Sequence, residues 1–223
     1  MNYGLPENYH ARTEPAYFDD VLADAHLWQA DVYRGAAWLA RKNHAPRIID
    51  LGCGRGGKLL DYAQEFNIVG VDYGANIEYL RHNASKGEWY DIDLATEIIP
   101  PEFFWGSVVI CADVVEHLVN PSPLIQSLYN ATQTAAYVLL STPDRERLYN
   151  GDTNHSPPDN PAHVREWTLD ELREFLKREG MPVVWSGWTV SYQGQPDKLN
   201  TSLIILSNMT LLDFPMTFEE CKS

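Results

Sequence analysis

Basic residues are scarce in this 223-residue chain: 17 Lys and Arg stand against 31 Asp and Glu, a formal charge of −14. A surface of that sign repels phosphate backbones and anionic lipid, so neither a large nucleic acid nor a membrane surface is the expected partner. Long apolar runs are also missing. No stretch approaches the roughly 20 residues needed to span a bilayer, and residues 1–13 are too polar for the core of a signal peptide. Cysteine is limited to Cys53, Cys111 and Cys221, in no metal or redox spacing. Cys53 and Cys111 read as small apolar residues at strand ends, and a reducing cytoplasm is the expected compartment. Repeats and low-complexity tracts are absent too. The length suits one α/β domain with a short extension.

What is present is organised around 47–58, Arg-Ile-Ile-Asp-Leu-Gly-Cys-Gly-Arg-Gly-Gly-Lys. A short apolar strand, Arg47–Leu51, breaks into glycines that let the chain turn and a ligand approach. Residues 58–66 then carry apolar side chains at helical spacing. Gly52, Gly54 and Gly57 match G-x-G-x-x-G, a pattern compatible with a dinucleotide. Asp50 argues against one, because a carboxylate beside the loop repels a pyrophosphate and attracts an ammonium group. Asp72, roughly 20 residues on at the end of a second strand, stands where a carboxylate accepts ribose hydroxyls. An adenosine joined to an amino acid suits this pair better than NAD does.

These residues resemble those of the class I S-adenosylmethionine-dependent methyltransferases. Asp-Leu-Gly-Cys-Gly-Arg-Gly at 50–56 looks like the family's first motif and Gly-Val-Asp at 70–72 like its acidic second motif. Ala112-Asp-Val-Val-Glu-His-Leu118 looks like the segment after its fourth strand. The resemblance implies a donor site built from Asp50, Gly52, Cys53, Gly54, Gly56, Asp72, Tyr73, Asp93, Leu94, Ala112 and Asp113. In it Asp50 orients the amino group, Asp72 holds the ribose, and Asp93 with Leu94 reads adenine. Asp91 competes with Asp93, since a one-residue error changes faces of a strand.

The implied fold is a doubly wound, Rossmann-like α/β sheet of seven strands, mostly parallel with the last strand antiparallel, plus N-terminal helices. Expected boundaries are an N-terminal helical lid at 1–45, the donor-binding domain at 46–208 and a C-terminal tail at 209–223. The apolar spacing of 26–42 predicts an amphipathic helix. The family's use of such helices as lids makes Tyr9, Tyr17, Trp28 and Tyr33 candidates for the pocket border. Asn76 reads as the cap of a helix over 76–84, and Ser107–Ala112 as a strand covered on both faces. Asn120-Pro121 opens a helix, and Thr168-Leu-Asp-Glu171 is a capping box for a helix that stops at Gly180. Residues 183–190 and 202–206 form a closing strand pair.

Residues 141–167 have the length and polarity of a functional loop. Ser141-Thr-Pro-Asp-Arg145 and His163-Val-Arg-Glu-Trp167 resemble bacterial small-molecule methyltransferases, some near sugar- or polysaccharide-modifying pathways. Tyr33, Arg145, Arg165 and Trp167 are the candidate substrate contacts, the arginines for an acidic group. Three histidines compete for the catalytic role: His117 beside the donor edge, His155 in the polar part of the loop, and His163. No set with a recognisable metal spacing is found, so no metal ligand is assigned, and a hydroxyl-activating divalent ion held by loop carboxylates stays open. The expected activity is S-adenosylmethionine-dependent methylation of a small-molecule hydroxyl such as a sugar or glycoside, leaving S-adenosylhomocysteine. An amine or carboxyl of a natural product or metabolite is the second choice. A nucleotide-binding oxidoreductase and a catalytically silent subunit of the same fold stay open as other classes.

Overall fold

The computed structural model describes residues 3–16, 25–211 and 214. Tyr17 and Cys221 lie outside the described residues. One seven-stranded sheet runs β3-β2-β1-β4-β5-β7-β6. Its strands are β1 (Arg47–Leu51), β2 (Asn67–Asp72), β3 (Glu88–Asp91), β4 (Ser107–Ala112), β5 (Tyr137–Pro143), β6 (Val183–Thr189) and β7 (Thr201–Leu206). The first five pair in parallel, and β7 lies antiparallel between β5 and β6.

Strand residues alternate between two cores, as a period of two requires. Ile49, Leu51, Val69, Val71, Val109 and Cys111 face one side with α4 (Ser122–Thr134) and α6 (Leu169–Arg178). Ile48, Ile68, Val108, Ile110 and Leu139 face the other, against α1 (Ala30–Lys42). Each large aliphatic side chain so buried contributes about 1.5–3 kcal/mol. β4 sits between β1 and β5 and is buried over its whole length, which explains its uninterrupted apolar sequence.

Local signals held or failed for identifiable reasons. The capping box forms as written: Thr168 Oγ1 accepts from the Glu171 N–H, and Glu171 accepts from the Thr168 N–H. The helix predicted over 58–66 is only α2 (Gly57–Leu60); beyond it the chain tightens into turns such as Tyr62 N–H to Leu59 O and Glu65 N–H to Tyr62 O. Gln29 takes a left-handed φ of 56° and so starts α1 at Ala30, later than the apolar spacing suggests. Asn76 is not a cap. Gly74 holds that position in front of α3 (Ala75–Asn83), and the buried Asn76 amide instead donates back to Asp72.

The long loop after β5 is anchored by a buried charge cluster. Asp144, 1% exposed, receives the Leu169 N–H, the Trp188 indole N–H and the Ser202 hydroxyl on Oδ2, and the Arg147 N–H on Oδ1. Arg145, fully buried in α5 (Arg145–Leu148), makes a bidentate pair with Glu171 at 2.6 and 2.7 Å and donates to the Thr153 carbonyl. Its guanidinium lies over the Tyr9 ring. Asp144→Ala leaves several buried donors without an acceptor, each costing about 1–3 kcal/mol. The expected result is a urea midpoint lowered by the equivalent of roughly 3 kcal/mol or more at unchanged slope. An unchanged midpoint would show that Asp144 is not the anchor.

Candidate active site

The carboxyl ends of the strands open onto one cavity of about 630 Å³, within the usual range for small-molecule sites. In sheet order its lining passes from Asp93 and Leu94 beyond β3, to Asp72 and Tyr73 at β2, to Gly52, Cys53 and Gly54 after β1. It continues to Ala112, Asp113 and His117 at β4, and to Pro143 at β5. Trp28, Asn160, Ala162, His163 and Ser191 line it as well.

The glycine loop is folded against its own neighbours. Gly52 and Cys53 donate to the Val71 carbonyl, Gly54 donates to Asp72 Oδ2 at 2.8 Å, and Gly56 donates to Cys53 O. These N–H groups are turned inward, and the helix that follows has four residues. A diphosphate seat needs outward N–H groups at the start of a developed helix dipole, and this loop has neither. Gly52 has φ 79°, and a Cβ there would meet Val114 Cγ2 at 2.3 Å. The glycine thus lets the first turn close against the exit of β4.

Two acidic residues present oxygen to the cavity. Asp72 accepts from Gly54, Tyr73 and Asn76, which fix its carboxylate at the strand end. Asp93 closes its own turn, accepting from the Ala95 N–H and the Thr96 hydroxyl, and lines the cavity beside Leu94. Asp91 does not: it accepts from the Gly74 N–H outside the lining. Carboxylates such as these accept hydroxyl and amino donors. Their chemistry and the apolar Ile92, Leu94 and Leu118 fit an adenosyl amino acid.

At the β4 exit the chain turns through Asp113, with φ 55°, into Val115–His117. Gln29, 0% exposed, donates to Asp113 Oδ1 and Thr201 and accepts from Ser141. Residues 160–167 close over this turn because Val164 and Arg165 N–H both donate to the Glu116 carbonyl, at 2.7 and 3.4 Å. His163 and His117 meet edge to face, ring centroids 4.9 Å apart. The His117 Nδ1 proton goes to the Ala162 carbonyl, and that of His163 to Glu166 Oε1 at 2.6 Å. Burial, then the neighbouring His163, lowers the His117 pKa to about 4, so the ring is neutral at physiological pH and a weak general base. Burial raises both Asp113 and Glu116, and repulsion from Asp113 carries Glu116 well above the usual carboxylate range.

The structure brings most of the sequence-predicted residues to one place. Gly52, Cys53, Gly54, Asp72, Tyr73, Asp93, Leu94, Ala112, Asp113, His117 and His163 all line the cavity. Asp50 stands behind the loop, 1% exposed, and accepts from the Tyr33 hydroxyl at 2.7 Å. Tyr33 is therefore a support for Asp50 and is not part of this cavity's lining. Gly56, with φ 70°, fits under Leu80 and precedes α2, outside the cavity.

The remaining candidates are held elsewhere. Arg145 is locked in the cluster described above. Arg165 donates to the Leu118 and Val119 carbonyls, and the Trp167 indole donates to Tyr3 O. His155 stacks on Tyr149 and bonds Asp159 away from the lining. Of the aromatics placed at the border, Trp28 is there, whereas Tyr9 accepts from the Glu166 N–H. Glu116 is expected at the ligand edge with Asp113 and His117, whereas Gln29, Asn160 and Lys58 have no role assigned from the sequence. Only the Glu-His pair after β4 carried a local signal; the others acquire their positions through contacts across the fold.

The strand order and the antiparallel β7, with an acidic residue at the end of β2 and a glycine loop after β1, define a class I S-adenosylmethionine-dependent methyltransferase. A family model described as a methyltransferase domain matches residues 24–184, more than half of the chain, and the protein belongs to that family. Among solved structures, the methyltransferase domain of bacterial CtHen1 aligns with a TM-score of 0.57 at 19% identity, over 81% of this chain and 99% of that one. Magnesium protoporphyrin IX methyltransferase (ChlM) from Synechocystis PCC 6803, with bound S-adenosylmethionine, aligns at 0.54 and 16% identity, over 87% of each chain. The [4+2]-cyclase SpnF aligns at 0.57 and 12%, over 91% of this chain and 87% of that one. At such identities the likeness shows the fold alone. No curated protein matches by sequence.

The glycine geometry gives a paired test. Gly52→Ala forces a Cβ into Val114 at a left-handed φ and is expected to destabilise the protein by about 1–3 kcal/mol. Gly57→Ala meets nothing within 4 Å at an ordinary φ and is expected to be neutral or slightly stabilising. Equal urea midpoints for the two variants would contradict the packing described.

Proposed function

We propose that this methyltransferase modifies a hydroxyl group of a small molecule, a sugar or glycoside being the acceptor class that best suits it. The observation behind this reading is the continuity of the cleft. A stretch suited to an adenosyl amino acid runs without a wall into one lined by His117, Asn160, His163, Ser191 and Trp28. Polar groups beside an indole face suit a polyhydroxylated ring, which presents both hydroxyl edges and a C–H face.

Bound S-adenosylmethionine supplies a methyl group on a sulfonium, already activated for transfer. Asp72 would hold the ribose hydroxyls, Asp93 and Leu94 the adenine edge, and Gly52 to Gly54 the methionine portion. Asp50, supported by Tyr33, would bias the loop toward a cationic guest from behind it. The chain's remaining contribution is to position the acceptor, and orientation of this kind can supply roughly 7–11 kcal/mol of barrier reduction. A reducing cytoplasm fits Cys53 and Cys111, which are buried and in no disulfide, and the acidic chain favours a small acceptor over nucleic acid. Among the described residues no helix is long and apolar enough to cross a membrane.

Isothermal titration separates this reading from a dinucleotide enzyme. Saturable binding of S-adenosylmethionine is expected, weakened at least tenfold by Asp72→Ala, with no saturable binding of NAD. Binding of NAD alone, or an unchanged donor affinity in the variant, would contradict the assignment. A panel of glycosides, amines and carboxylic acids then tests the acceptor, read as S-adenosylhomocysteine formed. Turnover is expected with hydroxyl acceptors, and turnover confined to amines or acids would reverse that choice.

A further inference from the structure

The sequence shows no metal-ligand spacing, yet the fold brings three side chains able to ligate a metal close together. Glu116, His117 and His163 each place one ligand atom so that all three lie within 4.8 Å of one another. We propose that these three side chains form a site for a divalent first-row transition cation at the wall of the cleft.

Three observations carry it. First, Glu116 is 0% exposed, and neither carboxylate oxygen has a hydrogen bond of full geometry; its near polar neighbours are the Asp113 carboxyl, a second acid, and the Thr142 hydroxyl. A fully buried carboxylate without donors calls for a positive partner. Second, both imidazoles give their Nδ1 proton to an oxygen, His117 to Ala162 O and His163 to Glu166, which leaves the lone pair on each Nε2. A carboxylate bonded to the far nitrogen is the usual support behind a metal-bound histidine. The His163 Nε2 lone pair now meets the Asn160 amide at 2.9 Å, and a cation would take that place. Third, three atoms bound about 2.0–2.2 Å from one cation stand roughly 3.4–3.6 Å apart, so a cluster already within 4.8 Å closes on an ion with inward side-chain shifts of under about 1 Å each.

Two nitrogens and one carboxylate favour manganese, iron, cobalt or zinc over magnesium or calcium, which prefer all-oxygen sites. With three protein ligands, His117 and His163 facing the cleft, coordination positions stay open toward an acceptor. Polarising an acceptor hydroxyl is the use this suggests; that use rests on the O-methylation reading, whereas the site itself does not.

The test uses the full chain, stripped with chelator and titrated with Co²⁺ (visible absorption) and Mn²⁺ (calorimetry). One saturable equivalent is expected, weakened at least tenfold in both Glu116→Gln and His163→Asn, each checked for retained S-adenosylmethionine binding. Should either variant fail to fold, Glu166→Gln is expected to weaken the cation by roughly 10–100-fold through loss of support for His163. No saturable equivalent in the wild-type chain, or equal affinity in the variants, overturns the site. With a hydroxyl acceptor in hand, chelation is expected to lower turnover at least tenfold and Mn²⁺ to restore it; insensitivity to chelation overturns the use. Cation binding without turnover of any hydroxyl acceptor would count against the acceptor reading while supporting the site.

Discussion

The Glu116 carbonyl is the point on which the cleft depends. Two successive N–H groups, from Val164 and Arg165, converge on it, and through them the loop after β5 is pinned across the exit of β4. Arg165 repeats the attachment one turn further on, at the Leu118 and Val119 carbonyls. Without these bonds the carboxyl edge of the sheet would be an open rim. With them it is a cavity whose far wall carries His163 beside His117. The residues 3–16 act as a strap over the same loop: Arg12 N–H donates to Val164 O, Ala16 N–H to Pro161 O, and Tyr9 accepts from Glu166.

Holding a polar loop this tightly requires burying charge, and at the base of the loop each buried charge is matched. Arg145 faces a bidentate carboxylate and a carbonyl, and Asp144 receives four donors. Glu171 serves twice, as partner of Arg145 and as the return arm of the α6 capping box. A helix start, a buried ion pair and the base of the loop are thereby one unit, so a change at any of the three is felt by the others. At the cleft wall the matching is incomplete, with Glu116 buried and its carboxylate oxygens unbonded. Groups of that kind concentrate at functional sites.

Much of the fold was legible because its signals are local. Arg47–Leu51 and Ser107–Ala112 are strands with the bounds their apolar runs suggest, and Thr168-x-x-Glu171 caps α6 as written. The positions of Asp72 and Gly52 at a ligand edge follow from strand endings, which sequence also shows. What it hid depends on partners distant along the chain. Arg145, Arg165 and Trp167 look like substrate contacts in a polar loop, yet their partners are mostly backbone carbonyls, which no residue type advertises. His163 and Glu116 are 47 positions apart, a separation no metal spacing rule covers, and only the clamp on the Glu116 carbonyl makes them neighbours. Asp91 and Asp93 were indistinguishable until the turn after β3 placed one on the cavity and spent the other on Gly74.

A single cleft, with its adenosyl seat on the β1–β3 side and its acceptor seat at the clamped loop, is the claim from which the rest follows. A crystal structure of the full chain with S-adenosylhomocysteine tests it most directly. The account predicts ribose hydroxyls on Asp72, the adenine edge at Asp93 and Leu94, and the sulfur directed toward the space before His117 and His163. A nucleoside bound elsewhere, or a sulfur facing solvent away from the two imidazoles, would contradict it.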